Sequence, residues 1–467
     1  MRFPLRAAFG AALLLATVAP AASADPTVPA LPDAFTSPNV EYLGSIKEDV
    51  GLTTGARVVG NQLFVTSAKN ISIYDITNPA DPKRVGQLRV NMAWENEEVP
   101  TNGKILGYGS DFFNATVDGG CVQALAVDGC TQFFDVRDPS NIKALPAVPT
   151  ANHTVECVLD CTWFYGSAGS IIDARGALDG QAPKEVGNWK TEAKAQGVEE
   201  KSCHHVRELS PGIVMTACQP FTVMSVLEED GGSPEHPKVL YTGAAAKFVH
   251  SARWPRKGTD DLALIGGEEN FTARCENNNS EFSTYSAKAI NAGESTEFQG
   301  PLDQIVPTNG VYADGHAPAG ELGCSVHWFQ EHPSFKNGGL VALSEYENGV
   351  RFEQVAPNGK ITEQGYFIAV GGSSSSPKWA PDGKTVYSID YHRGIDILRY
   401  NGDTYVPNAA GKVKHKKGKV RGTRGASIPA RVTRIVSRRS DRAGVLAELR
   451  AGGWVPNYCR LIARRES

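Results

Sequence analysis

The sequence has no dominant charge, no long apolar run beyond its start, and none of the short signatures of common catalytic sites. Its 47 Lys+Arg stand against 51 Asp+Glu, a formal net charge of −4. After its first residues no run of about eighteen apolar residues occurs, so no transmembrane helix is expected. There is no GxSxG elbow, HExxH pair or GK[ST] phosphate loop, which removes the local signatures of α/β-hydrolases, zincins and P-loop NTPases. Methionine is scarce, at 4, while 48 glycines and 28 prolines argue against a helical bundle, because both residues break helices. With 467 residues, 41% of them hydrophobic, the chain still buries a large core, and neither a disordered nor a fibrous protein fits it.

The two ends differ from the body. Arg2 and Arg6, the apolar run from Ala7 to Val18 and the small residues Ala22-Ser23-Ala24 have the order of a secretory signal peptide. Residues 1–24 are therefore expected to be removed, 25–38 to act as a linker, and the mature protein to be secreted and soluble. From Asn408 to Ser467 there are 16 Lys+Arg and 3 Asp+Glu. This basic tail, from 407, is expected to be disordered or partly helical. As a functional element it would hold an anionic partner such as a wall polymer; otherwise it is a solvated tail. An exported protein seldom meets nucleic acid, so that partner is not expected.

Cysteine usage agrees with export. Eight of the nine cysteines lie in the body: Cys121, Cys130, Cys157, Cys161, Cys203, Cys218, Cys275 and Cys324, with Cys459 in the tail. An even number in an oxidising compartment reads as disulfides, and neighbour pairing (121–130, 157–161, 203–218, 275–324) is the simplest of the 105 possible connectivities. Zinc knuckles would need paired CxxC motifs, and there are none.

The body repeats one phrase. Ile71-Ser72-Ile73-Tyr74-Asp75 alternates, then reaches Asn78-Pro79 and Asp81-Pro82, where proline stops pairing and Asx residues favour a turn. Gln132-Phe133-Phe134-Asp135 runs into Asp138-Pro139 in the same way, and Ser170-Ile171-Ile172-Asp173, Gly349–Glu353 and Gly394–Tyr400 are further copies. Short strands returning at intervals of about 40 residues are the mark of propeller blades. The expectation is an all-β propeller over 39–406, with about seven (six to eight) four-stranded blades starting near Gly55, Glu97, His153, His204, His250, His327 and Ser376. The residues around Asn39–Gly44 would close the last blade. The polar stretch Phe271–Asp314 reads as an inserted loop. The phrase "ISIYDITNPADPKRVG", with "GCSVHWFQEHPSFKNGGLVALSEYENGVRF" and "YSIDYHRGIDILRY", resembles the LVIVD-repeat proteins, bacterial β-propellers. That resemblance implies the fold; it implies no reaction.

Histidines recur at one place in the repeat. His153, His205, His250 and His327 each open the first strand of a blade, and first strands line a propeller's channel. Neutral imidazoles facing one axis suit Zn, Cu, Fe or Ni. Glu268, Glu269 and His204 are possible partners, with Glu97 and Glu98 as further carboxylates. Arg57 and Lys378 occupy the corresponding places in two other blades, so a water-filled or anion-binding channel is the other reading. Function is expected to be that of a secreted, disulfide-stabilised, monomeric binding or scaffold module whose channel face and loops hold an unidentified ligand or protein. The alternatives are a metal-dependent hydrolase or oxidase at the histidine ring, and a cell-surface protein held on wall polymers by its tail.

Overall fold

A computed structural model describes residues 34–48, 53–67, 70–90, 97–110, 129–268, 280–307, 324–369 and 372–404. The expected leader and basic tail, together with Cys121, Glu269, Cys275 and Cys459, lie outside the described residues.

Blade 1 shows how the repeated phrase folds. Four antiparallel strands run Thr53–Val59, Gln62–Ser67, Asn70–Asp75 and Lys83–Arg89. The second and third are buried along their length and the fourth is mostly exposed. The aspartate ending the third strand turns the chain: Asp75 Oδ1 accepts the Thr77 backbone N–H at 2.8 Å. Asp135 does the same for Arg137 at 3.1 Å, and Asp173 for Arg175 at 3.0 Å. A short polar side chain that satisfies the N–H two residues on is the local reason the phrase recurs.

Seven sheets follow one another along the chain. Blade 2 has strands Ile105–Ser110, Cys130–Asp135 and Lys143–Val148. Its first-strand place is taken by 97–101, joined by a Thr101–Leu106 bridge and a Gly107 N–H bond to the Pro100 carbonyl. Blades 3, 4 and 5 open with Val155–Val158, Lys201–Ser210 and Ser251–Arg253, and each has four strands. Blade 6 runs from Phe329–Glu331 to Ile361–Ala369 and gains a fifth strand, Ala34–Thr36, from the N-terminal side. Blade 7 opens with Ser374–Trp379, and Val40–Ile46 pairs with Gly394–Tyr400 to complete it, Val40 opposite Tyr400 and Ile46 opposite Ile395.

The core is distributed between blades. Seven apolar clusters each straddle one neighbouring pair. The one made by Ala56, Leu63, Val65 and Tyr74 of blade 1 with Tyr387, Ile389, Ile395 and Ile397 of blade 7 closes the circuit. No blade covers both its faces alone, so the ring is what buries them.

Five of the seven sheets have the expected four strands; among the described residues blade 2 has three and blade 6 five. Two expectations need correction. Ala34–Thr36, ahead of the expected propeller start, belongs to a sheet. Within the supposed inserted loop, Phe282–Ser286 and Gln299–Ile305 are the third and fourth strands of blade 5. The last is almost wholly exposed, and an outer edge strand with one wet face has no apolar alternation to betray it.

Two expected cysteine pairs lie at disulfide distance. Cys157–Cys161 has its Cα atoms 4.5 Å apart, and Cys203–Cys218, tying the first two strands of blade 4, 4.1 Å. Cys130 and Cys324 are also disulfide-bonded.

Candidate functional site

Glu97 and Glu98 sit where blade 2 forms little strand, and both side chains are buried. Consecutive residues in extended chain point opposite ways. Glu97 meets the histidines and Glu98 meets cations from four other blades, which places both at the convergence of the first strands.

Around Glu97 the imidazoles follow one another in blade order, the first pair edge-on and the next two tilted. Ring centroids are 4.5 Å apart for His153 and His204, 3.7 Å for His204 and His250, and 4.3 Å for His250 and His327. Glu97 Oε1 lies 3.0 Å from His327 Nε2; Oε2 lies 3.3 Å from His250 Nε2 and 3.8 Å from His204 Nε2. Two side chains fix the carboxylate: Trp328 donates its indole N–H to Oε2 at 2.8 Å, and Tyr391 its hydroxyl to Oε1 at 2.8 Å. Glu268 stands behind, 4.0 Å from His250 Nε2, and accepts the Tyr346 hydroxyl at 2.5 Å. His327 Nδ1 is 2.7 Å from the Ser375 carbonyl oxygen. That nitrogen therefore donates, and Nε2 is left facing the cluster.

The buried nitrogens are the notable feature. Among the described residues His204 Nδ1 and Nε2 and His250 Nδ1 have no hydrogen-bond partner, while His250 Nε2 and His327 Nε2 face Glu97 at 3.3 and 3.0 Å. Buried polar atoms in native proteins are almost always satisfied, so such a group needs an explanation. Donor atoms of Glu97, His250 and His327 lie within 4.8 Å of one another, as do those of Glu97, His153 and His204, and of His204, His250 and Glu268. Metal–ligand bonds of about 2.1 Å set tetrahedral ligands roughly 3.4 Å apart, so modest side-chain movement brings either Glu97 group onto one ion.

Protonation favours ligation. Burial pushes the His204 imidazole well below its ordinary value, and His250 and His153 add to it. Burial lowers His250 too, His327 acting in the same sense. Burial also opposes charge on His327, yet Glu97 outweighs it and raises that imidazole. Burial alone would raise the Glu97 carboxyl, but His327 and His250 hold it well below the usual range. Neutral His204 and His250 beside an ionised Glu97 are in the state a metal needs, and a bound metal would displace the proton that Glu97 favours on His327.

Glu98 has a different company. Its Oε1 is 2.7 Å from Lys378 Nζ and 3.4 Å from Arg253; its Oε2 is 3.1 Å from Arg207 and 3.8 Å from Arg57. These cations come from the first strands of blades 7, 5, 4 and 1. Burial would raise the Glu98 carboxyl, but Lys378, Arg207, Arg253 and Arg57 keep it well below its ordinary value. Burial pushes the Lys378 ammonium down to about 8, with Arg253 adding and Glu98 opposing.

Of the expected ligands, His153, His250 and His327 meet in the cluster, and Glu268 joins them. His205 does not: its ring packs edge-on against Trp328 at 4.7 Å, while His204 takes the place in the series. The first strand of blade 4 is irregular between Lys201 and His205, where Ser202 adopts φ 50°, and a one-residue slip exchanges which side chain faces the axis. Trp328, Tyr346 and Tyr391 carried no signal in the sequence, because aromatic residues in strands are ordinarily core.

No family model matches the chain, and no curated protein does. Among solved structures it is similar to one titled "Crystal structure of RRP9 WD40 repeats", at 10% identity and a TM-score of 0.47, over 77% of this chain and 97% of that one. The chain is an all-β, seven-bladed propeller on its own sheets and inter-blade clusters. The resemblance to LVIVD-repeat proteins rests on the repeat phrases quoted above.

Proposed function

We propose that this propeller is an exported binding protein whose channel holds a divalent transition metal. His204, His250 and His327 with Glu97 would be the ligands, and His153 and Glu268 the neighbours that complete or orient the set. The observation that carries this reading is the convergence of three buried imidazoles on one ionised carboxylate, with both His204 nitrogens and His250 Nδ1 left without hydrogen-bond partners among the described residues. The ligand types suit Zn, Cu, Fe or Ni. Disulfide pairing of cysteines supports an oxidising compartment and hence export. Metal-dependent hydrolysis or oxidation is the second reading. It is favoured by Glu268, a buried carboxylate 4.0 Å from His250 and hydrogen-bonded by Tyr346, placed to accept a proton at the site.

Elemental analysis of the purified protein, grown with these metals supplied, is the test. Wild type is expected to retain about one ion per chain, and a His250→Ala/His327→Ala variant to retain none while keeping its near-ultraviolet circular dichroism. Equal metal content in the two proteins, or none in either, rejects the proposal.

A further inference from the structure

We propose that the ring of Arg57, Arg207, Arg253 and Lys378 around Glu98 is a second binding site in the channel, for an oxyanion: phosphate, sulfate, or the carboxylate of a small organic acid. The charge count is the first ground. Four cations converge, yet among the described residues only two carboxylates are in hydrogen-bond contact with them. Glu98 is shared by Lys378, Arg253 and Arg207, and Glu156 accepts both its bonds from Arg57, at 2.7 and 3.0 Å. Glu331 stands 3.7 Å from the Arg253 guanidinium, beyond hydrogen-bond reach. Charges this deep are tolerated when paired and are costly otherwise; with Glu331 included, three carboxylates lie at ion-pair distance from four cations, which leaves one positive charge over.

The second ground is donor geometry. Arg57 Nε is buried and has no hydrogen-bond partner among the described residues. Arg207 makes one bond among them, NH1 to Glu98, and its side chain is 21% exposed; Arg57 is 17% exposed, against 7% and 4% for Arg253 and Lys378. Arg57 and Arg207 thus keep unused donors and are partly accessible, whereas Arg253 and Lys378 are almost fully buried. Planar guanidinium forks match the paired oxygens of carboxylate and phosphate. Because the side chains of Glu97 and Glu98 point opposite ways along extended chain, an anion held here lies on the other side of the strand from the histidine cluster, and the two sites are separate.

The site stands without the metal, and the experiment separates the two. Chelator-treated protein is titrated calorimetrically with phosphate, sulfate and acetate, with chloride at matched ionic strength as control. Saturable binding of at least one oxyanion at one site per chain is expected, with chloride giving none. An Arg57→Gln/Arg207→Gln variant should bind at least about ten-fold more weakly. Glu98→Gln, which removes the resident competitor, should bind more tightly, and His250→Ala/His327→Ala should bind as wild type does. Should the arginine variant fail to fold, the oxyanion-specific rise in melting temperature of wild type and of Glu98→Gln decides. Absence of saturable binding, equal response to chloride, or loss of binding in the histidine variant overturns the proposal.

Discussion

At the scale of single residues, burial decides which side chains titrate unusually. Glu200, in the approach to blade 4, is a case apart from the channel. Its carboxyl accepts the Thr216 hydroxyl at 2.7 Å and the Thr222 hydroxyl, while Oε2 has no partner among the described residues. Burial raises it from 4.5 to about 7, against those hydrogen bonds and a distant Lys190. The folded chain then keeps a proton that the unfolded chain releases near 4.5. Stability from this group is complete below that pH and is lost as pH rises towards 7. Denaturant midpoints at pH 5 and pH 8 should show wild type losing on the order of 3 kcal/mol more than Glu200→Gln, which keeps an acceptor and cannot ionise. Equal losses would mean that Glu200 is ionised throughout.

The histidines show the limit of reading at this scale. Their recurrence before first strands was visible because the blade repeat fixes phase. The choice between His204 and His205 was not, since it turns on a backbone irregularity at Ser202 that no residue type in that stretch announces.

At the scale of elements, the repeat phrase was legible because local chemistry alone produces it: alternation makes the strand, and the terminal Asp makes the turn. Outer strands were not, since exposure strips them of pattern. Blade packing adds a distinction that the phrase hides. Gly86 and Gly187 hold the same place in the fourth strands of blades 1 and 3, opposite Ile73 and Ile171, and both sheets shift register there. A Cβ at Gly86 would lie 2.0 Å from the Pro139 carbonyl oxygen of blade 2, whereas at Gly187 its nearest neighbours are at an ordinary 3.5 Å. Gly86→Ala must push a backbone aside between blades and should cost at least about 2 kcal/mol. Gly187→Ala should cost under about 1 kcal/mol. Urea unfolding of the two variants compares them directly, and similar losses would show that the close approach of blade 2 does not set the cost at position 86.

At the scale of the molecule, everything functional depends on closure. Glu98 touches residues of blades 1, 4, 5 and 7 at once, a set that adjacency in sequence cannot assemble. Closure was legible in outline, because residues near Asn39–Gly44 had no blade of their own and the last blade lacked a strand. Which residues then face the axis from opposite sides of the ring is set by distances that only the finished circuit defines, so the partnership of Glu97 with Trp328 and Tyr391 could not be read in advance. Closure also makes a prediction about truncation. A chain beginning at Asp33 keeps Val40–Ile46, and with it the ladder along Gly394–Tyr400 and the contacts of Leu43 and Ile46 with the cluster between blades 7 and 1. A chain beginning at Thr53 loses both. It leaves Gly394–Tyr400, buried almost throughout in the closed ring, as an open edge with unpaired N–H and C=O groups. The first chain should be monomeric by size-exclusion chromatography with light scattering, and should unfold in one transition. The second should aggregate, or recover its monomeric form when a peptide spanning residues 38–48 is supplied in trans, since such a peptide restores the missing strand. A monomeric, cooperatively folded Thr53 chain without peptide would show that the ring does not need this strand to close, and would detach the channel sites from the N-terminal segment altogether.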